Sequence, residues 1–208
     1  MTRLGILLSG RGSNFLALHD AVRRREIPAT IALVASNVEA APGIARAREL
    51  GLPVAAVPHR GEPDRAAHEG KLIAAFRAVQ AEWICLAGYM RLLSPLFLNA
   101  FPRRVVNIHP SLLPAFPGVD AQAQALAHGV KLAGCTVHLV DEGLDSGPIV
   151  VQRAVAVRDH DTAEELAARI LEQEHLAYPE AMRRLLGEAW EIRGRRLVFL
   201  DPGPASPP

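Results

Sequence analysis

Cysteine is the first thing this chain has little of: two residues, Cys85 and Cys135, among 208. Each lies in an apolar stretch, so a disulfide framework is excluded and a reducing, cytosolic compartment is expected. Neither Cys-x-x-Cys nor His-Glu-x-x-His occurs, and no metal is expected. Net charge is also scarce. Lys plus Arg number 23 against 22 Asp plus Glu, a balance of +1. A nucleic-acid binder that works through a strong positive field does not look like this. No apolar run approaches the roughly 20 residues needed to span a membrane. Half the residues are hydrophobic, which argues against intrinsic disorder. Repeats and long linkers are missing as well. The first residues run directly into the apolar stretch 4–8, which reads as a strand rather than a signal peptide.

What is there alternates. Strands are expected over 3–8, 30–36, 53–57, 83–87 and 105–108. Helices are expected between them over 14–25, 43–50 and 65–79; in the last, Leu72, Phe76 and Val79 recur at helical spacing. This order predicts an α/β fold, a mostly parallel central sheet with helices on both faces. The second half changes character. A helix over 120–128 is expected to be capped by Asp120. Alternating strands follow at 135–140 and 149–157. A long helical region over 162–186 is expected to bend or break near Tyr178-Pro179, and a terminal hairpin is expected over 192–200 with a turn at Gly194. Residues 1–200 read as one catalytic domain. Residues 201–208, with four prolines and a glycine, read as a frayed tail.

Chemistry concentrates in two runs. Asn107-Ile108-His109-Pro110-Ser111-Leu112-Leu113-Pro114 puts an amide and an imidazole two residues apart at a strand end. Asp141-Glu142-Gly143-Leu144-Asp145-Ser146-Gly147-Pro148 offers carboxylates from a later connection. An amide donor, a histidine and a carboxylate stabilise an oxyanion and move a proton without a serine or cysteine nucleophile. Ser111 lacks the glycine elbow of a serine hydrolase. Ser9-Gly10-Arg11-Gly12-Ser13-Asn14 joins the first strand to the first helix. Its glycines permit close backbone approach, and the helix N-terminus beyond suits a phosphate. It is not a Walker loop, and it lacks the third glycine of a dinucleotide fingerprint. Gly88-Tyr89-Met90-Arg91-Leu92-Leu93 follows a buried strand, where open parallel sheets place ligand loops.

These runs, with Gln152, Glu174-His175 and Tyr178-Pro179, resemble the phosphoribosylglycinamide formyltransferase family of purine synthesis over most of the chain. The resemblance implies a Rossmann-like formyltransferase fold and formyl transfer from 10-formyltetrahydrofolate to the amine of glycinamide ribonucleotide. It assigns catalysis to Asn107, His109 and Asp145. Asn107 and a protonated His109 would donate to the tetrahedral oxyanion, and Asp145 would orient the imidazolium. Gly12, Ser13, Asn14 and Glu174 would bind the nucleotide, the carboxylate taking the ribose hydroxyls. Arg65, Met90, Arg91, Leu92, Leu93, Asn107, Val140 and Asp141 would line the folate pocket. For Arg65 a surface pair with Glu69 is an equal alternative.

The expected partners are therefore a ribonucleotide and a reduced folate, with no nucleic acid and no membrane; monomer or homodimer stays open. Two other functions are weighed. Hydrolysis of 10-formyltetrahydrofolate would use the same trio, but such hydrolases usually carry an added N-terminal regulatory domain, and this chain begins at the first catalytic strand. Methionyl-tRNA formyltransferases are longer, with a C-terminal RNA-binding domain. A non-catalytic folate-binding module would have no need of Asn107, His109 and Asp145 together.

Overall fold

The computed structural model describes residues 1–200. The expected tail lies outside them.

Period-two alternation builds the centre. In β1 (Thr2–Leu8), Leu4, Ile6 and Leu8 point to one face and join one apolar cluster, while Leu7 joins another on the opposite face. Gly5 has no side chain because the Phe76 ring lies on it; a Cβ there would sit 2.5 Å from Phe76 Cδ1. β2 (Ala29–Ser36) and β4 (Trp83–Leu86) pair with β1 in parallel. β3 (Val54–Ala56) extends the sheet beyond β2, and β5 (Val105–His109) extends it beyond β4. β6 (Leu132–Leu139) then runs antiparallel to β5 and to β7 (Ile149–Ala156). The hairpin of β8 (Trp190–Arg193) and β9 (Arg196–Phe199) closes the order as β3-β2-β1-β4-β5-β6-β7-β9-β8.

Helices cover both faces, as expected. α1 (Ser13–Arg23), α2 (Pro42–Glu49), α5 (Ala121–Ala127) and α6 (Ala163–Gly187) contribute to the cluster holding Leu4 and Ile6. α3 (Arg65–Ala78) and α4 (Pro95–Ala100) cover the Leu7 side. α4 is absent from the sequence reading. It has six residues and opens on Pro95, too little for a helical period to register.

Two local expectations need correction. Asp120 precedes α5 but caps nothing with its side chain; its φ of 55° is left-handed rather than the extended form a capping residue adopts. Gln124 instead donates from Nε2 to the carbonyls of Pro117 and Val119. Nor does α6 break at Pro179. It runs 25 residues, opened by a reciprocal capping box between Thr162 and Glu165. Tyr178 and Pro179 are both buried, and the Tyr178 hydroxyl is shared between the carbonyls of Leu86 (3.0 Å) and Val106 (2.9 Å). Tertiary contacts of this kind outweigh the one N–H that proline removes.

Tyr178 thus ties α6 to the ends of β4 and β5. Tyr178→Phe should lower stability by about 1–2 kcal/mol, the cost of leaving buried carbonyls unpaired. Urea unfolding at neutral pH checks this, and an unchanged midpoint would contradict it.

A second prediction concerns acid. Burial pushes the imidazoles of His68, His138 and His175 below their usual value of 6.5. The unfolded chain therefore takes up more protons than the folded one as pH falls through that value. Their contribution to stability is complete above about pH 6.5 and is lost as pH descends toward their folded values. Glu174, raised by burial, acts in the opposite sense at lower pH. Urea midpoints should drop between pH 7.5 and 5.5, and the drop should shrink in His68→Gln. A flat profile would contradict the assignment.

Candidate functional site

From β1 the chain turns outward to β2, and from β4 outward to β5. The crevice beyond the carboxyl ends of β1 and β4 is therefore a topological switch point, where open α/β sheets bind ligands. Ser9 sits at its base. Its N–H donates to the Gly88 carbonyl, and its hydroxyl accepts from Met90 N and donates to Asn37 Oδ1. The loop after β1 and the loop after β4 are thereby joined through one residue.

Gly12 precedes α1 in a left-handed conformation, φ 72°, and a Cβ there would meet Leu8 and Gly43. The backbone itself turns the first N–H groups of α1 outward. Asn14, in the first turn, donates from Nδ2 to Glu174 Oε2 at 2.6 Å, and its own Oδ1 is buried with no protein partner. Burial pushes the Glu174 carboxyl above its ordinary range, against the opposing pull of Asn14 and His109. A carboxylate and an amide oxygen, both acceptors, thus stand together in a desolvated wall. That pair suits hydroxyl donors.

The reacting groups come from strand register. Asn107 and His109 share one face of β5, two residues apart. The antiparallel register sets Asn107 opposite His138 and His109 opposite Thr136. Asp145 arrives from the β6–β7 connection with φ 48°, a left-handed position that aspartate tolerates better than most residues. Its Oδ2 lies 3.3 Å from His109 Nδ1 and accepts from Gly118 N at 2.8 Å. Its Oδ1 lies 3.7 Å from His138 Nε2. On the far edge of the ring, His109 Nε2 donates to the Phe116 carbonyl at 2.9 Å. That carbonyl, an obligate acceptor, keeps Nε2 protonated and makes Nδ1 the nitrogen that faces the carboxylate. Asn107, His109 and Asp145 are brought together as the sequence suggested.

One cleft of about 770 Å³ is lined by all three, together with Asn14, Glu174, Met90, Arg91, Leu92, Leu93, Val140 and Asp141. Met90 and Leu92 are exposed, an open apolar lip; Leu93 is nearly buried and also packs in the core around Phe97. Gly12 and Ser13 lie just behind Asn14 and do not line the cleft. Arg65 does not line it either. It opens α3, and its alternative partner is engaged elsewhere: Glu69 is buried, accepting from both the backbone N–H and the hydroxyl of Ser94. Glu69 thereby anchors the residues that follow Leu93. Asp141 accepts from Gly143 N and Ser146 Oγ, which shapes the loop toward Asp145.

Sequence reasoning missed His138, the Phe116 carbonyl and the Gly118 amide. The expected strand over 135–140 contains His138, but which residue it faces is set by the pairing with β5 and carries no local signal. Among the described residues, no group of three or more His, Cys, Asp or Glu side chains could hold a metal. No described helix is long and apolar enough to cross a membrane.

Comparison with known proteins adds the family. Residues 2–182 match the formyl transferase model. The chain is 43% identical to the phosphoribosylglycinamide formyltransferase of Bacillus subtilis, covering 90% of this chain and 96% of that one. It is 44% identical to part of the trifunctional purine biosynthetic protein adenosine-3 of Drosophila melanogaster, covering 88% of this chain and 14% of that protein. The crystal structure of glycinamide ribonucleotide transformylase 1 from Symbiobacterium toebii superposes with a TM-score of 0.94 at 48% identity, covering 97% and 95% of the two chains. A formyltetrahydrofolate deformylase from Pseudomonas syringae also superposes, at 28% identity and over 66% of its length. With its trio at the end of β5 and its amide–carboxylate pair beside α1, the chain belongs to the formyl transferase family and, within it, to the phosphoribosylglycinamide formyltransferases.

Proposed function

We propose that this chain moves a formyl group from 10-formyltetrahydrofolate to the primary amine of glycinamide ribonucleotide in purine biosynthesis, giving the N-formyl product and tetrahydrofolate. The observation that carries this is the convergence of Asn107, His109 and Asp145 in the same cleft as the Asn14–Glu174 pair. Residues 1–200 act as one catalytic unit.

The nucleotide phosphate is held by backbone N–H groups around Gly12, Ser13 and Asn14, where the α1 dipole is positive. Glu174 accepts from the ribose hydroxyls. The pterin lies against Met90, Leu92, Leu93 and Val140, with Arg91 in the cleft, and Arg65 outside it, toward the anionic tail. The amine nitrogen attacks the formyl carbon, and the carbonyl electron pair moves onto oxygen. Asn107 Nδ2 donates to that oxygen, and so does the His109 Nδ1–H, whose 3.3 Å approach to Asp145 leaves it free to be shared while Nε2–H stays on the Phe116 carbonyl. Asp145 balances the imidazolium charge. Collapse re-forms the carbonyl and breaks the bond to the folate nitrogen. The nucleotide amine loses a proton and the folate nitrogen gains one, with His109 as the carrier. No covalent enzyme intermediate is needed.

Hydrolysis is the second reading, favoured only by the superposition on the deformylase. Water would replace the amine, and the nucleotide wall of Asn14 and Glu174 would have no use. Both cysteine thiols are pushed up to about 12 by burial, which keeps them unreactive and fits a reducing cytoplasm.

Direct detection of the formylated nucleotide, with a water-only control, tests the reading. Folate turnover without that product would reject it. In single-turnover measurements under saturating ligands, His109→Ala should slow formyl transfer by about 10²–10⁴-fold, with both ligands still bound. A full chemical rate in that variant would remove His109 from the reaction. Glu174→Gln should raise KM for the nucleotide by about tenfold, the loss of a charged acceptor, and leave KM for the folate nearly unchanged. Equal weakening of both would place Glu174 in the scaffold instead.

A further inference from the structure

We infer that His138 is a positioning residue that fixes the Asn107 amide, so that one of its N–H groups is spent on His138 Nε2 and the other is held for the substrate oxygen. The inference rests on the formyl-transfer reading above and adds a residue to it.

The geometry starts from the β5–β6 register. Asn107 and His138 are directly paired across antiparallel strands, so their side chains rise from the same face. Asn107 Nδ2 and His138 Nε2 are 3.3 Å apart. The other ring nitrogen, Nδ1, lies 3.0 Å from the Leu139 carbonyl. A carbonyl only accepts, so Nδ1 carries a proton. In a neutral ring Nε2 is then a bare lone pair, and among the described residues the group within hydrogen-bonding reach of it is the Asn107 amide. Burial holds the ring neutral: His138 is 2% exposed and its pKa lies below the usual value. Asp145 Oδ1, at 3.7 Å, is outside hydrogen-bond distance and is engaged at its other oxygen by Gly118 N.

The consequence concerns amide orientation. A free asparagine side chain presents its oxygen or its nitrogen to the cleft by rotation about its last torsion. An oxygen there would repel a developing oxyanion, whereas an N–H stabilises it. A lone pair on the inner side removes the choice. His138 accepts only from nitrogen, so Nδ2 is locked at that end and its second hydrogen is left unspent. His138 touches no reacting atom; it sets the sign of the dipole that Asn107 presents.

Three measurements decide this. Nitrogen-15 NMR of the histidine rings at pH 7.5 should show His138 as the neutral tautomer protonated on Nδ1. An imidazolium, or protonation on Nε2, would overturn the inference, because the ring would then donate to Asp145 or to the amide oxygen. In steady-state formyl transfer, His138→Phe should lower kcat by about 10–100-fold, a fraction of what removing an oxyanion donor costs, with KM for each substrate within about threefold. His138→Gln, which offers a carbonyl acceptor, should recover most of that loss, and it covers the case in which the phenylalanine variant folds poorly. Full kcat in His138→Phe, or no recovery in a folded His138→Gln, would overturn the role. Finally, in an Asn107→Ala background His138→Phe should cost nothing further, since the two act as a unit. An additive loss would mean that His138 works through Asp145 instead. Absence of formyl transfer by the unaltered chain would reject the reaction itself; the NMR tautomer would still report on the bond independently.

Discussion

The site depends on the antiparallel register of β5 against β6. Four residues of the reacting centre and its support, Asn107, His109, Thr136 and His138, are two cross-strand pairs in that register. A slip of one residue would send one strand's contribution to the opposite face, into the core. The register is held by a buried polar knot. The Thr136 hydroxyl donates to the Ser111 carbonyl at 2.6 Å and accepts from Leu113 N at 3.0 Å. Gln152, opposite Thr136 on β7, donates from Nε2 to the same hydroxyl and to the Leu113 carbonyl. Two strands, β6 and β7, and the proline-rich segment after His109 therefore meet at one fully satisfied hydroxyl. Such a network specifies a single arrangement, because every alternative leaves buried groups unpaired.

The two ends of the cleft are organised differently. The nucleotide end is made by long-range pairing of secondary-structure elements, with α1 and α6 linked through Asn14 and Glu174. Glu174 and Tyr178 are one helical turn apart, so the helix that offers the carboxylate is also the one anchored beneath the sheet ends. The folate end is made of loops. Ser9 and Glu69 tie those loops down from below, leaving Met90 and Leu92 on the surface. A rigid wall faces an adaptable lip, which is the arrangement expected where a small charged ligand and a larger flexible one meet.

The succession of strands and helices was largely readable in the sequence, because hydrophobic period and glycine loops are local signals. Asn107, His109 and Asp145 were legible as chemistry through their residue types and the family pattern. His138 was not, since its importance comes from which residue it faces across a strand pair, and register is a long-range property. Glu69 was misplaced for a related reason. Helical spacing offered Arg65 as its partner, whereas the fold buries it against Ser94. The continuity of α6 through Pro179 was hidden because the compensating contacts of Tyr178 lie in distant strands.

The β8–β9 hairpin joins the sheet by a single bridging pair, Ile149 with Arg196, beyond the residues that match the family model. It turns at Gly194, and Arg193, Arg195 and Arg196 make its tip cationic. Charge of one sign on an outer strand discourages edge-to-edge association. Between the hairpin and β5 stand two strands, β6 and β7. For an engineer, this hairpin is a docking port at the periphery of the sheet, provided that a domain inserted at the Gly194 turn keeps the bond from Arg195 to the Ser146 carbonyl, next to Asp145.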